Sequence, residues 1–208
     1  MSAVAAPYGF KPVNRIGGTP YSGSTRSFLI DPAGYGANIY NGSLVYVKST
    51  GYIELVSATG ADATTNSWPV GSTDNTGTIG VFVGCSYTNS MGQTVFGQYY
   101  PSGSLNGVAI VVDDPECVFQ VQSAGIVTQA ALGANFFMTT GAVLTGSTAT
   151  GNSTASVVVG SAAIQTTAPL RCVGFVDMRG FSVVGDAFTD ILVKINPGWH
   201  SYNTVKGV

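Results

Sequence analysis

Charge is what this chain has least of. Eight basic and ten acidic side chains in 208 residues make up 9% of the composition, where a globular domain carries about 25%. The signs nearly cancel, leaving a formal net charge of -2. A protein that circulates alone keeps its copies apart with a charged, mixed-sign exterior. A chain this poor in ions is expected to have much of its exterior covered by neighbouring protein. The basic residues Lys11, Arg15, Arg26, Lys48, Arg171, Arg179, Lys194 and Lys206 are spread along the sequence. A nucleic-acid face needs them clustered, so no direct nucleic-acid partner is expected.

Other shortages narrow the field further. There are three cysteines, Cys85, Cys117 and Cys172, widely spaced and without a C-x-x-C pair. That excludes a zinc knuckle and suits small buried hydrophobes in a reducing cytosol better than a disulfide. Apolar runs fall short of the roughly 18 residues of a membrane span, so no membrane is expected. The start of the chain lacks a basic region followed by an apolar stretch, which reads as no signal peptide. Histidine occurs once, at His200. A nucleophile triad or zinc site would have to use it. Beside Trp199 and Tyr202 it reads as a surface or contact residue. A G-x-S-x-G elbow, a Walker loop and a complete dinucleotide fingerprint are all missing.

What the chain does have is hydrophobicity and turns. Hydrophobic residues are 45% and glycines number 28, about twice the average share of roughly 7%. Val, Phe, Tyr, Ser and Thr dominate the rest, a composition for short strands and many turns. Ser43-Leu44-Val45-Tyr46-Val47-Lys48 and Tyr52-Ile53-Glu54-Leu55-Val56 flank Ser49-Thr50-Gly51 as a hairpin. From Ile79 to Tyr87, alternation places Ile79, Val81, Val83, Cys85 and Tyr87 on one face. Asn89-Ser90-Met91-Gly92 then turns the chain. The continuous run 108–112 reads as a strand covered on both faces. Cys117, Phe119 and Val121 share a face of the next strand. Thr128-Gln129-Ala130-Ala131-Leu132 reads as one helical turn ended by Gly133. The Ser/Thr/Gly/Ala-rich stretch from 143 reads as weak strands and turns exposed to solvent. Strands over 170–176 and 188–195 close the core.

The expected fold is therefore all-β, an antiparallel sandwich or barrel-like arrangement with little helix. Residues 1–26, rich in Pro, Gly and aromatics, form an extended arm. A junction at Asp113-Asp114-Pro115 divides a first β subdomain, 27–114, from a second, 115–208, unless the two form one continuous domain.

No residue set stands out as catalytic, cofactor-binding or metal-ligating. Asp113, Asp114 and Glu116 form the one acidic cluster. Paired carboxylates could serve glycoside hydrolysis or bind calcium, but Asp-Asp-Pro after a strand is also an ordinary turn. Aromatics are the more informative class, since Tyr and Trp anchor protein contacts. The candidate interface residues are Tyr8, Phe10, Lys11 and Tyr21 on the arm, Trp68 in the polar loop 58–76, and Trp199 and Tyr202 at the end. The same aromatics and hydroxyls would also suit a carbohydrate- or receptor-binding module.

Four segments carry a resemblance: Ala6-Pro7-Tyr8-Gly9-Phe10-Lys11-Pro12-Val13, Gly80-Val81-Phe82-Val83-Gly84-Cys85-Ser86-Tyr87, Val111-Val112-Asp113-Asp114-Pro115-Glu116-Cys117-Val118-Phe119-Gln120-Val121-Gln122, and Pro169-Leu170-Arg171-Cys172-Val173-Gly174. Together they resemble the virion proteins of tailed bacteriophages that decorate or cement the capsid. The resemblance implies a β-rich structural protein without catalysis or cofactor. It would be made in the host cytoplasm and bound to the outer surface of an icosahedral head. Its partners would be the major capsid protein and itself, as a dimer or trimer.

Overall fold

The computed structural model describes residues 4–56, 77–139, 145–159, 168–176 and 182–203. Among them are eleven strands and one 3₁₀ turn, Gln129–Ala131, with no α-helix. The strands are β1 (Lys11–Arg15), β2 (Arg26–Leu29), β3 (Leu44–Val47), β4 (Ile53–Leu55), β5 (Thr78–Thr88), β6 (Thr94–Gly97), β7 (Leu105–Val112), β8 (Cys117–Gln122), β9 (Asn135–Phe136), β10 (Leu170–Phe175) and β11 (Asp190–Ile195). They form two antiparallel sheets, β1-β8-β11-β10-β9 and β2-β7-β5-β3-β4, with β6 pairing the far half of β5. The sheets pack face to face as a β-sandwich, the architecture that alternating apolar strands and Gly-rich turns favour.

The central core lies between the sheets. Leu44, Val81 and Val112 of one sheet meet Phe119, Val121, Cys172, Ile191 and Val193 of the other, all essentially inaccessible. A second cluster lies on the opposite face of the β5 sheet, where Val45, Phe82, Ala109 and Val111 are covered by Ile30, Ile39 and Tyr100. The chain passes between the sheets at Asp113–Pro115, while β1, from the arm, crosses back to the β8 edge.

The expected hairpin at 44–55 forms, with Gly51 in the left-handed region at φ 83°. The expected helical turn is the 3₁₀ turn, ended by Gly133 at φ 80°. All three cysteines are free and buried.

Three expectations need correction. The side chains of β5 do not share one face: Val81 and Val83 point to the central core, while Ile79, Phe82, Cys85 and Tyr87 point to the second cluster. Register shifts opposite Val45/Tyr46 and between Phe82 and Gly84 reset the alternation, as bulges do. The run in β7 is covered on both faces only at its end. Ala109, Val111 and Val112 are buried, while Ile110 stays 38% exposed and is not part of either core cluster. Lastly, the Ser/Thr-rich stretch is only partly left to solvent: residues 145–150 are mostly exposed, residues 151–157 mostly buried. Within its described part, Ala155 and Val157 are fully buried. Val157 donates its N–H to Gln122 and accepts one from Ala124, so it behaves as one of the weak strands expected here, buried instead of exposed.

Candidate interaction surface

The arm turns back onto its own sheet. β1 pairs with β8 from Lys11↔Gln120 to Arg15↔Cys117, and Ala6 N–H donates to Gln122 Oε1. Gly9 and Gly42 approach so closely that a Cβ on Gly9 would lie 2.8 Å from the Gly42 carbonyl oxygen. That approach lets Phe10 N–H donate to the same oxygen at 2.9 Å. Phe10, expected as an interface anchor, is fully buried edge-on against Phe119. It fills the protein's own core and is not on offer to a partner. Beyond β1 the chain forms a tight exposed hairpin, with Arg15 N–H donating to Thr19 O and Tyr21 N–H to Val13 O.

Four of the six remaining expected anchors form two pairs. Lys11 is exposed, with its ammonium 4.4 Å from the Tyr8 ring centroid. Tyr8 is half-buried, and burial followed by the Asp190 carboxylate pushes its phenol upward in pKa. Tyr202 is 43% exposed. It lies near Arg26, whose guanidinium sits 5.1 Å from its ring. Tyr21 is half-buried, and its phenol is raised mainly by burial, then by Cys117, with Asp113 and Asp114 contributing less. Tyr21 and Tyr202 therefore flank the same junction. Trp199 packs partly against the central core. Trp68 lies outside the described residues.

That junction absorbs the acidic cluster. Asp113 pairs with Arg26 at 2.8 Å, Asp114 with Arg15 at 2.7 Å and Glu116 with Lys194 at 2.7 Å. Each cation comes from a different strand, so the turn between the sheets is tied to β1, β2 and β11. The Tyr202 hydroxyl donates to Asp113 at 2.6 Å, and Glu116 N–H donates to Asp114 at 2.9 Å. A general acid or a calcium ligand needs a carboxylate that is not already held by a cation. None of these three is free in that sense. Among the described residues no group of three His, Cys, Asp or Glu side chains converges on a metal position.

His200 is placed differently from the sequence expectation. It is 1% exposed, not a surface residue, and its Nε2 has no hydrogen-bond partner of good geometry. Burial lowers its pKa to about 4, against the opposing pull of Asp113 and Asp114. The segment it sits on is stitched to the start of β5 by Thr78 N–H to Trp199 O and Ser201 N–H to Thr78 O.

Ion pairing holds four of the six described cations, Arg15, Arg26, Lys48 and Lys194, and Lys11 stays exposed with the Tyr8 ring beside it. Lys48 holds Glu54 at 2.8 Å, and Arg171 donates to Asn135 Oδ1 at 3.0 Å. The exterior is thus poorer in free charge than the composition alone conveys.

Three of the exposed apolar residues, Leu29, Ile110 and Phe96, share one surface that the sequence reading missed. Register places Leu29 opposite Val108, Val108 opposite Ser86, and Ser86 opposite Phe96. The next row is Ser27, Ile110 and Gly84. Phe96 is 83% and Leu29 57% exposed. This is the face of the β5 sheet turned away from the second cluster. It crosses β2, β7, β5 and β6 without a charged side chain. Only knowledge of the register reveals it, since its members come from four separated segments.

Comparison with protein-family models, with curated proteins and with solved structures finds no match to this chain.

Proposed function

We propose that this protein is a structural component of a tailed-phage virion. In this reading it decorates and cements the icosahedral shell by binding across neighbouring major capsid protein subunits. The observation that carries the proposal is the charge-free apolar face of Leu29, Val108, Ile110 and Phe96 on a protein in which four of the six described cations are paired internally. Monomers rarely leave contiguous apolar patches of more than a few hundred Å² open to water, and larger ones mark interaction sites. Covering roughly 300 Å² of this kind at about 25 cal/mol per Å² yields on the order of 7 kcal/mol gross. Ordering at the interface offsets part of that, and repetition around an oligomer multiplies the remainder as avidity. Few ions would need to be stripped of water on docking, which removes the largest cost of burying a surface.

The sandwich suits such a role. Its turns are held by internal hydrogen bonds, so little order has to be gained on binding. The exposed hairpin after β1 and the half-buried Tyr21 beside it offer a second contact. The test is to add the purified protein to shells lacking it, then measure occupancy and resistance to heat. Saturating occupancy with a raised disruption temperature is the expected result. Shells equally robust with and without the protein refute cementing, and failure to bind refutes decoration.

A further inference from the structure

Beyond the end of the apolar face and away from the ion-paired junction, the turn after β5 and the segment before β7 enclose an open pocket of about 570 Å³. That lies within the range of small-ligand sites, roughly 300–1,000 Å³. Tyr87, Thr88, Ser90, Ser102, Ser104 and Leu105 supply the lining groups that matter. Thr88 and Leu105 are direct cross-strand partners at the base. One wall is fixed by Asn89, whose Oδ1 accepts from Met91 N–H at 3.0 Å and Gln93 N–H at 2.9 Å. The other is fixed by Asn38 Oδ1, which accepts from Ser102 N–H at 2.7 Å, and by Gly103 N–H donating to Tyr35 O at 2.8 Å. Both walls are therefore set before any ligand arrives.

The chemistry of the lining is selective by what it offers. No charged side chain lines the pocket, so phosphates, sulfates, uronates and amines find no counter-ion. The backbone groups of the walls are largely engaged within the turns, which leaves little for a peptide strand to pair with. The free groups are side-chain hydroxyls. Among the described residues none makes a hydrogen bond with the side-chain hydroxyls of Tyr87, Thr88, Ser90, Ser102 or Ser104. The Tyr87 ring and Leu105 supply apolar surface between them. A ligand that matches is uncharged, rich in hydroxyls and apolar along its C–H faces.

We propose that this pocket is a binding site for a neutral oligosaccharide, with the Tyr87 ring and Leu105 against sugar C–H groups and the serine hydroxyls bonding to sugar hydroxyls. The site is independent of the cementing reading and lies on the purified chain alone. A virion protein that also held neutral glycans would bring the particle to a cell surface. Binding energy per sugar is small because each hydrogen bond replaces one to water, so a single copy binds weakly and multiple copies act together.

The test uses the isotope-labelled full chain titrated with neutral glucan, mannan and galactan oligosaccharides. Sialylated and sulfated oligosaccharides serve as the anionic arm, and backbone amide shifts are the readout. Saturable shifts confined to residues 87–92 and 101–105 with at least one neutral series, absent with the anionic ones, are expected. Ser102→Trp, at an exposed position, should weaken binding by about tenfold or more. Tyr87→Phe, which keeps the packed ring, should weaken it less than Ser102→Trp. No saturable shift up to about 10 mM sugar overturns the proposal, as does stronger binding of the anionic arm. Binding that the folded Ser102→Trp variant leaves unchanged places the sugar elsewhere and overturns it equally.

Discussion

Tyr202 reaches back across 89 residues to donate its phenolic hydrogen to the Asp113 carboxylate at 2.6 Å. Arg26 completes the arrangement, holding the same carboxylate oxygen at 2.8 Å and lying over the tyrosine ring. Burial and the carboxylate push the Tyr202 phenol up to about 12, so it remains a donor at all working pH values. Three distant segments, the end of the chain, the start of β2 and the junction between the sheets, thus depend on one nearly inaccessible carboxylate. Asp113→Ala should cost about 2–3 kcal/mol and Tyr202→Phe about 1–2 kcal/mol, as for hydrogen bonds to a charged group. In urea unfolding the double variant should lose less than the two single losses combined, by at least about 0.5 kcal/mol. Strict additivity means that the two residues do not act as a unit.

The buried imidazole gives a pH dependence of defined sign. His200 has its pKa lowered from 6.5 to about 4, with Asp113, Asp114 and Lys194 the charged groups around it. Between those values the unfolded chain binds a proton that the folded chain excludes. Stability is therefore complete above about pH 6.5, falls as the pH drops towards 4, and loses nothing more from this group below that. The loss is on the order of 3 kcal/mol. Subtracting the profile of His200→Gln from the parent's isolates it from the carboxylates. An imidazole that titrates near 6.5 in the folded chain by NMR contradicts this account.

How far the residues announce this arrangement depends on range. Local signals were readable: the hairpin at Gly51, the turn at Gly133, the strand with Cys117, Phe119 and Val121 on one face, and the antiparallel all-β class, with sandwich and barrel both left open. What depended on register was not. The alternation from Ile79 to Tyr87 looks uniform as a string, and only pairing with β3 and β7 shows where bulges shift it. The surface of Leu29, Val108 and Phe96 is assembled by three strand pairings, so no window of sequence contains it. Phe10 illustrates the opposite error. An aromatic between Gly and Lys in a Pro-rich stretch looks like an anchor for a partner, but the Gly9–Gly42 approach delivers it to the core. His200 was misjudged because its aromatic neighbours suggested surface, whereas the strand-like bridge to Thr78 draws it inside.

Two glycines of β5 should answer differently to the same substitution. A Cβ on Gly80 would sit 2.0 Å from the Val112 carbonyl oxygen, while one on Gly84 meets only the Gly97 carbonyl oxygen at 3.4 Å. The first contact is with backbone of a paired strand and cannot be relieved by rotating a side chain. Gly80→Ala is expected to cost about 3 kcal/mol or more, at or beyond the upper end for overpacking. Gly84→Ala should change stability by less than about 1 kcal/mol. Thermal melts of the pair compare them directly. Equal losses refute the argument that the register of β5 on β7 requires a glycine at 80.

The thiols should be silent in the native state. Cys85 and Cys117 are each pushed up to about 12 by burial, and Cys172 is raised by the same cause. A thiol reacts as its thiolate, which is scarce at neutral pH for all three. Reaction with an aromatic disulfide reagent at pH 8 should therefore be slow in buffer and complete in denaturant, with all three released together. Rapid modification of any one in buffer shows that its surroundings open far more readily than the packing implies.

The apolar face yields the prediction that bears most directly on assembly. Phe96 is 83% exposed and contributes little to the isolated fold, so Phe96→Ser should move stability by no more than about 0.5 kcal/mol. Leu29→Ser, at a more covered edge position, should cost somewhat more. If this face is where shell subunits dock, both variants should lose occupancy on shells by about tenfold or more while remaining folded by circular dichroism. Because the contact carries few charges, occupancy of the parent protein should change little between low salt and about 0.5 M salt, where exposed charge pairs are strongly screened. Normal occupancy by folded Phe96→Ser removes this face from the contact. Binding that collapses with salt points instead to an ionic interface.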